Sequence, residues 1–276
     1  MFFSYLFKLK SKIIENKTVG NNQEILNNSN DNQIIYLAEK TTENVAKNEF
    51  PKNELRRSIA ARYLVGEGIE IGALNAPLEV PDNVKIKYLD RMTVAQLRQQ
   101  YPRLADSPLV EVDIIDDGEK LLSIADDSLD FVIANHAIEH CEDAITSLSN
   151  WLRVLKSEGI LYLAVPDKRY TFDRDRPLTS LEHLICDWEK GANWSRRSHF
   201  EEWVKVVEKF PEAEAEKRIQ YRMDMNFSIH FHVWTQIEFL EFILYCRRHL
   251  SYPFEIEFMQ KEGVEFIIIL RKTSPL

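Results

Sequence analysis

The sequence predicts an α/β protein in which a mostly parallel sheet is covered by helices on both faces. From Leu55 onward, short apolar runs rich in β-branched residues alternate with longer stretches of helical periodicity, and this alternation is typical of parallel sheets. The last two apolar runs differ, because only residues 260–264 separate them. That spacing is too short for a helical crossover and predicts an antiparallel hairpin at the end of the chain.

Seven segments have the length and composition of buried strands, since most are apolar on both faces. They cover residues 68–73, 85–89, 109–114, 129–134, 159–165, 254–259 and 265–270. Capping boxes, in which Thr or Ser is followed three residues later by Glu or Gln, predict helix starts. They begin at Thr93, Thr179, Ser198 and Thr235. An apolar stripe after Asp143 predicts a further helix that ends at Gly159.

Composition limits the possible functions. The 276 residues suffice for one large domain, and the net charge of −9 disfavours a nucleic-acid partner. The three cysteines form no Cys-x-x-Cys pair, so we predict neither disulfides nor a zinc knuckle, and a reducing cytoplasm fits best.

Two segments stand apart from the strand and helix pattern. Residues 1–54 are polar and aperiodic and predict a flexible tail. Within that tail, residues 1–12 combine aromatic residues with lysines, which predicts at most a weak peripheral membrane contact. Residues 171–231 exceed a simple crossover, and such an insertion at the carboxyl edge of a sheet is normally a lid.

The first strand ends at Gly72, where a glycine lets the backbone approach a ligand closely. The following run to Pro77 lacks the later glycines of a dinucleotide loop, which disfavours a pyrophosphate ligand. Asp90 ends the second strand, where a carboxylate can accept hydrogen bonds from two ribose hydroxyls. The alternative is a solvated carboxylate at a strand end.

Four segments, in order along the chain, resemble the motifs of class I S-adenosylmethionine-dependent methyltransferases with a methyltransferase type 11-like domain. They are Glu70-Ile71-Gly72-Ala73, Glu111-Val112-Asp113-Ile114 and the runs 126–140 and 152–163. The resemblance implies a Rossmann-like domain over residues 55–276, with seven strands in the order 3-2-1-4-5-7-6 and the last strand antiparallel. It also implies S-adenosylmethionine as the methyl donor.

The same resemblance implies which residues contact the donor. They are Glu70, Gly72, Ala73, Asp90, Arg91, Asp113, Ile114 and Asn135. The first loop departs from the family pattern, with Leu74 or Asn75 where a second glycine is usual. We expect this departure to reshape the pocket for the amino-acid end of the donor.

Methyl transfer from a sulfonium is an in-line displacement, so the enzyme mainly aligns the acceptor and excludes water. A hydroxyl acceptor would benefit from a general base, usually a neutral histidine. His136, just past the fourth strand, and Asp167, just past the fifth, are the catalytic candidates. The alternatives are that His136 packs or caps a helix, that Asp167 holds a loop, and that His140 makes a local contact.

The predicted lid contains Trp188, Trp194 and Trp203 among several arginines. These side chains could contact a sugar or a phosphate, and the alternative is that the tryptophans form a core of the lid itself. His230 and His232 alternate as metal ligands would, but no cysteine or nearby acidic residue completes a set, so no metal is expected.

We therefore expect O-methylation of a small-molecule, sugar or glycolipid acceptor, in the manner of a glycan-modifying enzyme. The alternatives are a non-catalytic binding protein that keeps the fold and a nicotinamide-dependent oxidoreductase.

Overall fold

The computed structural model describes residues 54–274. The predicted tail, with its membrane-contact segment 1–12, lies outside the described residues except for Glu54, which begins a helix. Across residues 54–274, no helix has both the length and the apolar character needed to cross a membrane.

Seven strands form one sheet. They are β1 (Glu67–Ile71), β2 (Lys85–Asp90), β3 (Ile114–Ile115), β4 (Leu129–Asn135), β5 (Leu155–Pro166), β6 (Phe254–Glu262) and β7 (Glu265–Lys272). Their order is β3-β2-β1-β4-β5-β7-β6. The first five strands pair in parallel, whereas β7 is antiparallel to both β5 and β6. The predicted order and the closing hairpin are confirmed.

Helices cover both faces of the sheet. They are α1 (Glu54–Tyr63), α2 (Val94–Gln100), α3 (Ala144–Val154), α4 (Leu181–Lys190), α5 (Asn193–Glu202), α6 (Glu212–Asp224) and α7 (Gln236–His249). One core packs α3 and α7 against the sheet, and a second packs α1 against the opposite face. The insertion between β5 and α7 contains α4, α5 and α6 and has its own core, which includes Phe200 and Trp203.

Two of the predicted capping boxes are confirmed, those of Thr93 before α2 and Thr235 before α7. The other two predictions are wrong. Helix α4 is capped by Ser180, which accepts from the amide of His183. Thr179 instead accepts from Val233 N at 2.9 Å and joins the start of the insertion to the segment before α7. Ser198 lies inside α5, and its hydroxyl donates to Ser195 O.

Two predicted boundaries are also wrong. Strand β3 covers only Ile114–Ile115, because the preceding segment leaves the ladder and Val110 N donates to Leu74 O instead. Helix α3 ends at Val154, and β5 begins at the next residue. Gly159 therefore lies within β5, directly after Glu158, whose positive φ of 66° accompanies the irregularity at which the pairing of β5 with β4 shifts register.

Candidate active site

A cavity of about 1350 Å³ lies where β1, β2 and β3 end, at the edge where open α/β sheets bind ligands. Its other wall belongs to the insertion, which includes Phe172 and Trp203. Pockets for one drug-sized ligand usually measure roughly 300–1,000 Å³. The cavity therefore has room for a methyl donor and an acceptor together.

Asp90, the last residue of β2, lines the cavity next to Gly72 and Arg91. Burial raises the pKa of Asp90 to about 6, although the amides of Arg91 and Met92 and the guanidinium of Arg91 oppose the shift. Gly72 has a φ of 63°, which glycine adopts readily, and its amide donates to Leu89 O at 2.7 Å. The structure thus brings together three residues that the sequence placed in the donor site.

Three other predicted donor residues are buried and do not line the cavity: Glu70, Ala73 and Asn135. Both carboxylate oxygens of Glu70 accept from Leu78 N, at 3.1 and 3.0 Å. Burial raises the pKa of Glu70 to about 7, against the opposing effects of the Leu78 amide and of Arg56. Glu70 therefore holds the loop after β1 through the Leu78 amide. It supports Gly72 from outside the cavity lining.

Asp113 and Ile114 also lie outside the cavity lining. Asp113 is exposed, and its carboxylate accepts from Tyr88 N at 2.8 Å. The cavity is lined instead by Ile115, Asp116 and Asp117, because β3 begins later than its apolar pattern suggested. Asp116 accepts from the Ser123 hydroxyl at 2.6 Å and from two backbone amides, which fixes this loop.

His136 follows β4 in a left-handed conformation, with a φ of 49°, and lines the cavity. Its Nε2 lies 2.6 Å from Glu265 Oε2, and its Nδ1 lies 3.5 Å from Glu139 Oε1. Both nitrogens face carboxylates, so neither is directed at an acceptor. This geometry makes His136 a positioning residue rather than the general base that the sequence suggested.

Glu265, the first residue of β7, also binds Arg56 of α1, whose Nε and Nη2 donate at 2.7 and 2.5 Å. Burial favours the neutral form of Glu265, yet Arg56 and His136 hold its pKa well below the usual range. A continuous ionic chain therefore runs from α1 through β7 to the residue after β4. No sequence pattern predicts this chain of contacts, because its members lie far apart in the sequence.

His140 lines the cavity and is the second histidine after β4. Its Nδ1 lies 2.8 Å from Ile229 O, so Nδ1 carries the hydrogen and donates it. Burial and the neighbouring His230 lower the pKa of His140 to about 3. The imidazole is therefore neutral, and the lone pair is on Nε2.

Asp167 is fully buried and does not line the cavity. Its two oxygens accept from Nε and Nη2 of Arg169, at 2.9 and 2.6 Å. A carboxylate committed in this way cannot take part in the transfer, so its predicted catalytic role finds no support in its position.

The wall of the cavity formed by the insertion combines aromatic rings with paired arginines. Arg196 contacts Glu142 and donates to Asn226 Oδ1 at 2.7 Å. Glu208 accepts from Nε of Arg218 and from Nε of Arg222, each at 2.8 Å. The guanidinium charges on this wall are thus largely balanced by carboxylates.

Residues 78–163 match the family model of the methyltransferase domain. No curated protein matches the sequence. The strand order is that of class I S-adenosylmethionine-dependent methyltransferases, and the matched segment belongs to their domain family. Both findings support an enzyme whose methyl donor is S-adenosylmethionine.

Solved structures with a similar chain path include three methyltransferases. A CurJ carbon methyltransferase is 13% identical with a TM-score of 0.41 and 89% of this chain covered, and this chain spans only 54% of its length. An S-adenosylmethionine-dependent methyltransferase from Methanosarcina mazei is 15% identical, with 77% and 95% of the two chains covered and a TM-score of 0.43. A possible histamine N-methyltransferase from Thermotoga maritima is 17% identical, with 88% and 96% covered and a TM-score of 0.42. At such scores these likenesses carry no argument about the acceptor.

The cavity wall nearest the sheet fits S-adenosylmethionine chemically. Asp90 offers a carboxylate for the ribose hydroxyls, and the exposed side chain of Ile115 offers apolar surface for the adenine. Gly72 leaves the backbone open to close approach.

Proposed function

We propose that the protein methylates a hydroxyl group of a sugar, glycolipid or other small molecule. The observation that carries this proposal is that one continuous cavity of about 1350 Å³ joins Asp90 and Gly72 at the sheet edge to the aromatic wall of the insertion. A nicotinamide-dependent oxidoreductase is disfavoured, because the loop after β1 lacks the glycines of a dinucleotide site.

The donor-side roles follow from position in the cavity. We assign Asp90 to the ribose hydroxyls, and Asp116 with Asp117 to the adenine end in place of Asp113 and Ile114. S-adenosylmethionine, when bound, supplies an electrophilic methyl group on its sulfonium. The protein's part is to hold the two reactants in line and to keep water out.

His140 is the residue that we assign to the acceptor hydroxyl. Its Nδ1 is committed to Ile229 O, so only Nε2 remains to accept a hydrogen bond. A pKa of about 3 is low for a proton acceptor at neutral pH. His140 therefore acts mainly by orienting the hydroxyl. As the methyl group bonds to the hydroxyl oxygen, its O–H becomes strongly acidic, so Nε2 accepts the proton and releases it to solvent when the product leaves.

Charge and surface chemistry favour a hydroxyl-rich acceptor over a strongly anionic one. Arg196, Arg218 and Arg222 are all engaged by Glu142 or Glu208, so little positive charge remains for a phosphate backbone. Aromatic rings in the cavity lining, among them Phe172 and the exposed Tyr221, offer apolar faces on which sugar rings pack well.

The test is to incubate the purified protein with methyl-labelled S-adenosylmethionine and fractionated small-molecule, glycan and lipid extracts. We expect label in a glycan or lipid fraction, a mass gain of one methylene, and a methyl ether in the product's NMR spectrum. Transfer only to nitrogen or carbon would refute O-methylation, and absence of donor binding would refute the assigned site.

A further inference from the structure

Three histidines and one aspartate converge inside the insertion, apart from the residues that line the cavity. His183 and Asp187 lie on α4, His199 lies on α5, and His232 lies in the segment that leads into α7. Each offers one nitrogen or carboxylate oxygen, and the four atoms lie within 4.8 Å of one another. Asp187, His199 and His232 are buried, and His183 forms the outer side of the cluster.

The separations between these atoms are close to those of a metal's ligand shell. His183 Nε2 lies 3.0 Å from His199 Nε2 and 3.2 Å from Asp187 Oδ2. His232 Nε2 lies 3.7 Å from the same Asp187 oxygen. Four ligands at about 2.0–2.1 Å from a tetrahedral zinc ion lie roughly 3.3 Å apart. Only small side-chain movements would therefore complete the shell.

The polar atoms of the cluster are poorly satisfied by one another. Asp187 Oδ2 is buried with no hydrogen-bond partner among residues 54–274, while Oδ1 accepts from the Ser195 hydroxyl at 2.6 Å. A buried carboxylate oxygen without a partner is costly. A cation bound between this oxygen and the three imidazoles would satisfy it.

We propose that His183, Asp187, His199 and His232 bind a divalent transition-metal ion, with zinc as the best match to three nitrogens and one oxygen. Four protein ligands leave no open position, so the ion is structural. It ties α4 and α5 to the segment before α7. This inference is independent of the proposed acceptor and of donor binding.

The site also explains why the sequence pointed away from a metal. His230, the predicted companion of His232, turns to Asp173 instead, at 2.7 Å. The missing acidic ligand is supplied by Asp187, which is distant in sequence and reaches His232 only through the packing of α4.

The first experiment measures metal in the full chain, purified without a histidine tag. We expect about one zinc per chain by mass spectrometry and, after removal with a chelator, its return in a calorimetric titration. Substitution with cobalt should give the visible absorption of a tetrahedral site. Failure of the natural chain both to retain zinc and to rebind it would overturn the proposal.

The second experiment identifies the ligands. We expect His183→Gln and Asp187→Asn each to weaken zinc binding by more than about tenfold, whereas His249→Gln, an exposed histidine on α7, keeps the natural affinity. Circular dichroism checks that each variant folds. If a variant does not fold, the cobalt spectrum of the natural chain still shows whether a tetrahedral site is present. Undiminished binding in both folded variants would place the ion elsewhere, for example at Glu139, His140 and His230, and would refute the assignment.

Discussion

Asp90 gives the donor site a pH dependence whose size follows from the structure. In the proposed donor site its carboxylate accepts hydrogen bonds from both ribose hydroxyls only when ionised, because the neutral acid carries a proton on one oxygen. Burial raises its pKa to about 6. The acid is about nine-tenths ionised at pH 7 and about one-tenth ionised at pH 5. Donor affinity should therefore fall about tenfold between these two pH values.

The assay is calorimetric titration of S-adenosylmethionine into the natural chain and into Asp90→Asn at both pH values. The variant should bind more weakly at pH 7, because two hydrogen bonds to a charged group are lost. The variant should also lack the tenfold fall in donor affinity between pH 7 and pH 5. Its ratio of affinities at these two pH values should therefore be about ten times smaller than that of the natural chain.

Other acids titrate in the same range, so the comparison of ratios is the decisive quantity. Burial raises the pKa of Glu119, which lines the cavity, to about 7, and any slope that it causes persists in Asp90→Asn. Asp82→Asn, at an exposed position before β2, serves as the matched control. If Asp90→Asn and Asp82→Asn show the same pH ratio as the natural chain, Asp90 does not bind the donor.

Three further predictions concern the buried network and the acceptor. Glu70 has a pKa of about 7 in the folded chain against an ordinary 4.5, so the folded state binds its proton more tightly than the unfolded state does. The free energy of unfolding should therefore decline as the pH rises between these two values. In urea unfolding, the natural chain should lose about 3 kcal/mol over this range relative to Glu70→Gln. Glu265→Gln leaves the charge of Arg56 unpaired and should lower the free energy of unfolding by about 3 kcal/mol. Glu257→Gln, which removes a more exposed ion pair, should change this free energy by less than about 1 kcal/mol. Equal losses in the two variants would contradict the ionic chain. His140→Gln should lower kcat for acceptor methylation with little change in donor Kd, and unaltered turnover would remove His140 from the acceptor site.

The sheet was predictable because its determinants are local. Runs of β-branched residues predict the strands, and the short spacing between β6 and β7 predicts the closing hairpin. Neither prediction needs information about contacts between distant parts of the chain. Strand β3 was misplaced because residues 109–113 are apolar enough for a strand, yet Val110 N donates to Leu74 O rather than to a residue of β2. Apolarity alone cannot tell which partner a backbone amide finds.

The candidate site was predictable only where one strand end carries the chemistry, as with Asp90 and Gly72. His136 was correctly placed at the cavity, but its role depends on Glu265, which is 129 residues away. Contacts at such distances depend on how the sheet and helices pack, and a single sequence holds no pattern for them. The same holds for His199 and His232, which meet only because the insertion folds back.

The ionic chain through Glu265 also limits how far the protein can be truncated from its N-terminal side. Arg56 belongs to α1, which packs outside the sheet and contributes no strand. Its guanidinium nevertheless balances a carboxylate that orients His136 at the cavity. Removing α1 would take away both the counter-charge of Glu265 and the apolar side chains that cover one face of the sheet, so a shortened chain should keep α1.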